Sequence, residues 1–142
     1  MHGLLQRGAY MIANWLGATG AVCCLAAALS GSAHAAVTED NFQLRNAGDL
    51  VAVCSADPSD RLMTAAVNFC HGFAIGVLRT LQDQQTAMRS KLFCITEPPP
   101  TRSETITRFV EWAKSRPDVL QQKPEDAVLA YLRAQFPCAA RR

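Results

Sequence analysis

Residues 62–81 read LMTAAVNFCHGFAIGVLRTL. Leu62, Ala66, Phe69, Phe73 and Val77 recur every three or four positions, the spacing of one face of an α-helix. Met63, Val67, Cys70, Ala74, Leu78 and Leu81 form a second stripe beside the first. No strict apolar/polar alternation of the kind a half-buried strand needs runs through the stretch. A helix apolar over so much of its circumference is expected to be central and buried. It starts somewhere after Asp57-Pro58-Ser59-Asp60, where Asp57 is suited to cap it and Pro58 to take its first position, and it reaches about Gln84.

Gly72 and Gly76 stand four apart inside this helix. A glycine in a helix interior costs up to about 1 kcal/mol against alanine. Close approach of a second helix would offset that cost, so a tight helix crossing is expected at Gly72 and Gly76. His71, next to Cys70, reads as a packed or surface residue.

The flanking segments are helical too. Upstream, Asn46 is a good N-cap for a helix over Ala47–Cys54, with Asp49 at its third position. Downstream, Gln82–Lys91 is polar and reads as a loop, and Leu92-Phe93-Cys94-Ile95 as a short apolar plug. Pro98-Pro99-Pro100 stiffens the chain into an extended linker. Thr101-Arg102-Ser103-Glu104 is a capping box that opens a helix running to about Ser115. Its inner face carries Ile106, Phe109, Val110 and Ala113, Trp112 lies on another flank, and Pro117 marks the end. Pro124-Glu125-Asp126 starts a last helix, with proline at the first position and two acids in the first turn, favoured by the helix dipole. Val128, Tyr131, Leu132, Gln135 and Phe136 set its face, and Pro137-Cys138 ends it.

The first 35 residues differ from the rest. One basic residue, Arg7, precedes an apolar run over Ala9–Leu29, followed by small residues and the triplet Ala33-His34-Ala35. This is the order of a secretory signal peptide, with cleavage expected after Ala35. Cys23 and Cys24 fall within the apolar run and leave with it. The exported chain then has 107 residues, one histidine, four cysteines and a formal charge of +1, against +2 for the full 142 residues. That length suits one domain: a ten-residue extension over 36–45, a helical body over 46–138 and a short basic tail over 139–142.

So weak a charge is no footprint for nucleic acid. After cleavage no membrane association is expected. An even set of cysteines in a small exported domain is expected to form disulfides. Cys54, Cys70, Cys94 and Cys138 contain no C-x-x-C spacing for zinc or redox chemistry. Four cysteines allow three pairings. If the last two helices form an antiparallel hairpin, Cys94 and Cys138 come together and leave Cys54 with Cys70. That pairing is favoured. A helix starting at Pro58 would carry Cys70 about 18 Å along its axis, out of reach of Cys54. So either residues 55–62 make an excursion and the helix starts later, or the pairing differs. The chain carries no G-x-S-x-G, H-E-x-x-H, phosphate loop or EF-hand pattern. No catalytic residue, metal site or cofactor is expected. The fold expected is all-α: a small four-helix domain with two intramolecular disulfides.

Several segments together resemble one family. These are Gly48-Asp49-Leu50 with Cys54, Phe69-Cys70-His71-Gly72-Phe73-Ala74-Ile75-Gly76-Val77, and Leu92-Phe93-Cys94-Ile95. Phe109-Val110-Glu111-Trp112, Arg116-Pro117 and Ala127-Val128 through Phe136-Pro137-Cys138 continue the order. The order resembles the Rap/Tai group of type VI secretion immunity proteins over residues 46–138. Two features depart from that pattern: Ile95-Thr96-Glu97 stands between the third cysteine and the prolines, and the Cys54–Cys70 gap is long. The resemblance implies a periplasmic helical protein, often dimeric, that binds a peptidoglycan amidase toxin and plugs its catalytic cleft. The motifs that match report scaffold and not contact residues. The 83–91 segment and the Glu97–Thr101 linker are candidate contact regions, because loops on rigid scaffolds often carry binding. A different class, a periplasmic acid-stress chaperone or other small binding protein without an immunity role, is the alternative. It would rely on carboxylates, since one histidine gives little response near neutral pH.

Overall fold

A computed structural model describes residues 35–139. The signal-peptide reading and the last three residues of the tail lie outside them. A 3-10 helix over Glu39–Gln43 is followed by five α-helices. They are α1 (Ala47–Cys54), α2 (Met63–Met88), α3 (Arg102–Lys114), α4 (Pro117–Leu120) and α5 (Pro124–Gln135). The described residues contain no strand, so the all-α expectation holds, with the single-turn α4 as an addition.

Local chemistry sets the ends of the elements. The Asn46 side chain accepts from the Asp49 backbone N–H at 3.1 Å and caps α1. Thr101 and Glu104 form the reciprocal capping box of α3. Pro124 opens α5 with Glu125 and Asp126 in the first turn. Pro58 does not open α2. The Asp57 carboxylate accepts from the Ser59 N–H and hydroxyl, and the Asp60 carboxylate accepts from the Leu62 N–H. These side-chain turns compete with a helix and hold residues 55–62 in an excursion. Cys70 therefore lies only about two turns into α2. It bonds to Cys54 with Cα atoms 5.2 Å apart. Cys94 bonds to Cys138 with Cα atoms 4.9 Å apart, where the Cys94 N–H also donates to the Phe136 carbonyl.

Residues 82–88 continue α2, correcting the loop expected there. Polar composition alone does not break a helix: Gln, Met and Ala have high helix propensity. The helix stops at Arg89, in the left-handed region at φ 51°. Inside the extension, the Gln85 side chain accepts from the N–H groups of Leu92 and Phe93 at 2.5 and 2.9 Å. That clamp seats Phe93 in the core.

The main core joins α1, α3, α4 and α5 through residues such as Leu50, Phe109, Val119, Tyr131 and Leu132. Tyr131 meets Phe109, Trp112 and Phe136 edge-on, with centroids 5.6, 5.6 and 6.5 Å away. A smaller cluster gathers Val37, Val53, Ala66, Cys70 and Ile106 around the first disulfide. Gln135 is exposed and takes no part in the face expected of it. The segment before α1 is tied down as a strap. The Val37 N–H donates to the Asp60 carboxylate at 2.7 Å, and Asn41 donates to the Asp49 carboxylate at 2.9 Å. Phe42 covers Phe69 edge-on at 5.3 Å.

Candidate functional site

The expected burial of α2 is overturned. Of its 26 residues only Ala66, Cys70 and Leu81 are buried. The helix lies across α1, α3 and α5 and keeps its opposite side free. Val67 and Phe69 are 37% and 36% exposed, and Met88 60%. Phe73, Ile75 and Val77 are half-buried. Gly72 and Gly76 are both exposed, and among the described residues no atom beyond their chain neighbours and their own helix backbone stands within 4 Å of where a Cβ would be added to either. This corrects the expectation of a tight crossing at these glycines within the chain. The reason is the number of stripes. One core face of a surface helix needs a single apolar stripe. α2 carries two, and the core takes residues from both, Ala66 from the first and Cys70 and Leu81 from the second, leaving Phe69 and Val67 facing outward.

Beside the glycines lies a groove between α2 and α5 of about 470 Å3. Gly76 and Thr80 form part of its α2 wall, and Phe73 and Leu129 are among its apolar lining. Glu125 and Asp126 form its acidic side. Sequence placed these two acids at a helix start and no further. Their place on the groove was not visible because it depends on how α5 lies against α2. The signal that points to the face is the surplus of apolar positions in residues 62–81.

The candidate contact regions are also solvent-facing. Residues 86–91 are exposed, and a shallow concavity of about 550 Å3 next to the second disulfide includes Gln85, Arg89, Lys91 and Ile95. Glu97, Pro98 and Pro99 are exposed in the linker before α3. His71 is half-buried. Among the described residues no group of His, Cys, Asp and Glu is placed to hold a metal ion. No helix among them is long and apolar enough to cross a membrane.

Three titratable groups are displaced from their ordinary values, each for a structural reason. Burial pushes Asp49 up, but hydrogen bonds from Asn41 and from the backbone and guanidinium of Arg45 outweigh it and hold the carboxyl low. Hydrogen bonds from Thr101 hold Glu104 low at the start of α3. Burial raises the Tyr131 phenol, against the opposing charge of Arg108. The first two stabilise local structure and the third belongs to the core, so none marks a reaction centre. A partly exposed apolar face on a cross-linked scaffold is an arrangement for binding another macromolecule.

Comparison with curated proteins and with solved structures finds no significant match. The family model of the Rap1a immunity proteins matches residues 46–138. That span holds α1 to α5 and both disulfides, and with the whole scaffold inside it the chain belongs to the Rap1a immunity protein family.

Proposed function

We propose that the chain acts as an immunity protein that binds a protein toxin, a reading its family membership supports. Immunity protein families are generally non-enzymatic. We propose that it is exported through a cleaved signal peptide over residues 1–35 and works in the periplasm. There it covers the catalytic cleft of a peptidoglycan amidase toxin delivered by type VI secretion. The outward face of α2, with the groove it forms against α5, is where the toxin docks. The observation that carries the docking site is the exposure of Val67, Phe69, Gly72 and Gly76 on one helix of a fold stiffened by two disulfides. A preorganised apolar face loses little entropy on binding, and its acidic flank at Glu125 and Asp126 favours a partner with basic groups at the rim.

The test is a strain lacking the gene. Exposure to sister cells that deliver the toxin should kill it, and plasmid-borne protein with its leader should restore survival. The same protein without the leader should not. Unchanged toxin sensitivity in the deletion strain would refute the immunity role, and rescue by the leaderless form would refute the periplasmic site. Gel filtration of the purified protein at micromolar concentration tests the dimer implied by the resemblance.

A further inference from the structure

Phe73 stands between two hollows: the α2–α5 groove and a separate cavity of about 130 Å3 on its other side. Leu50 of α1, Ala74 and Leu78 of α2, Ile106 of α3 and Leu132 of α5 form much of the second. Its wall is almost entirely apolar. An enclosed apolar cavity of about 150 Å3 accepts a molecule the size of benzene, and this hollow, open on one side, offers similar room. The space therefore suits one six-membered ring or a branched group of similar bulk.

One edge is different. Arg102, the first residue of α3, borders the cavity and is exposed. Among the described residues no carboxylate stands within ion-pair distance of it. The nearby Glu104 carboxylate is turned back onto Thr101, accepting from its N–H at 2.9 Å and its hydroxyl at 2.7 Å. The start of α3 adds the positive end of a helix dipole on the same side. An apolar hollow with an unneutralised guanidinium at its edge is complementary to a molecule with an apolar body and one negative charge. The Tyr131 ring is part of the wall.

We infer that this cavity binds a small amphipathic anion: a carboxylate carrying one apolar ring or branched group, seated with the body in the cavity and the carboxylate at Arg102. The inference goes beyond toxin binding and stands whether or not the α2 face docks a toxin.

The test is an NMR titration of the intact, disulfide-bonded protein with phenylacetate, toluene and acetate as probes. Phenylacetate should shift the resonances of Leu50, Ala74, Ile106 and Leu132 at concentrations up to about 10 mM. Arg102→Gln, an exposed change that leaves the core intact, should weaken phenylacetate about two- to fivefold and leave toluene unchanged. Ala74→Leu, which fills the cavity, should remove both. The inference is overturned if phenylacetate leaves these resonances in place, or if Arg102→Gln binds phenylacetate as tightly as the parent. It is equally overturned if acetate alone gives the same shifts.

Discussion

Tyr131→Phe probes the core at its least ordinary atom. Tyr131 is 2% exposed, and its buried hydroxyl has no hydrogen-bond partner among the described residues. The ring meets Phe109, Trp112 and Phe136 edge-on, contacts that a phenylalanine keeps. A buried hydroxyl that exchanges water for no partner costs about 1–3 kcal/mol. Removing it should therefore stabilise the fold by about 1 kcal/mol, after allowing for local relaxation. For a domain of about 100 residues that raises Tm by roughly 4–8 °C. Tyr131→Ala, which deletes the ring as well, should cost about 3–5 kcal/mol. Thermal unfolding followed by circular dichroism at pH 7 separates the two. The alkaline limb gives a second readout. Burial raises the phenol above its ordinary 10.0, so the unfolded chain loses this proton first and stability falls as pH climbs through that value. Tyr131→Phe should abolish that part of the slope. A loss of more than about 1 kcal/mol in Tyr131→Phe would refute the reasoning, because it would mean the hydroxyl makes a stabilising bond.

Other outcomes follow from the same geometry. The disulfides close loops with sequence separations of 16 and 44 residues, so reducing them should cost about 3 and 4 kcal/mol respectively, measured by urea unfolding of Cys→Ser pairs. The Asp49 carboxyl is held below its ordinary 3.8, so its contribution is full above that value and fades as pH falls through the lower folded value. Stability profiles should show Asp49→Asn to be less stable than the parent at pH 7, with the gap closing as pH falls below 3.8. Gly72→Ala and Gly76→Ala each meet open space within a helix, so each should stabilise the free protein by about 0.5–1 kcal/mol in thermal melts. A loss in either would place a neighbour against the glycine.

What sequence reveals here divides along local and non-local lines. Asn46 with Asp49, Thr101 with Glu104, and Pro124 with its two acids set helix starts by contacts spanning a few residues, and such contacts are legible. Pro58 misleads because the Asp57 and Asp60 side chains bind the backbone on both sides of the turn and win over the helix. Residues 82–88 mislead because polarity was read as loop, whereas Gln85 is needed in a helix to reach Leu92 and Phe93. The strap before α1 depends on Asp60, 23 residues from Val37, a distance no periodicity reports. The face of α2 shares this difficulty. Two apolar stripes say that the helix is sticky over a wide arc, but which residues of that arc the fold covers is decided by where α1, α3 and α5 lie. Gly72 and Gly76 gave the expectation of a close neighbour and the described residues supply none, so their openness became visible only in three dimensions.

The most direct test of the docking face is the affinity of the purified toxin for two variants of the intact protein. Gly76→Arg places a long side chain in the α2–α5 groove, where a Cβ meets nothing within 4 Å among the described residues, with circular dichroism to check that the variant is folded. Lys114→Arg, at the end of α3 and outside that groove, serves as control. Isothermal titration calorimetry should show toxin binding weakened at least about a hundredfold by Gly76→Arg, the loss of a central contact worth over 2 kcal/mol, and unchanged by Lys114→Arg. Equal affinity for Gly76→Arg and the parent would contradict the α2 face as the surface that holds the toxin.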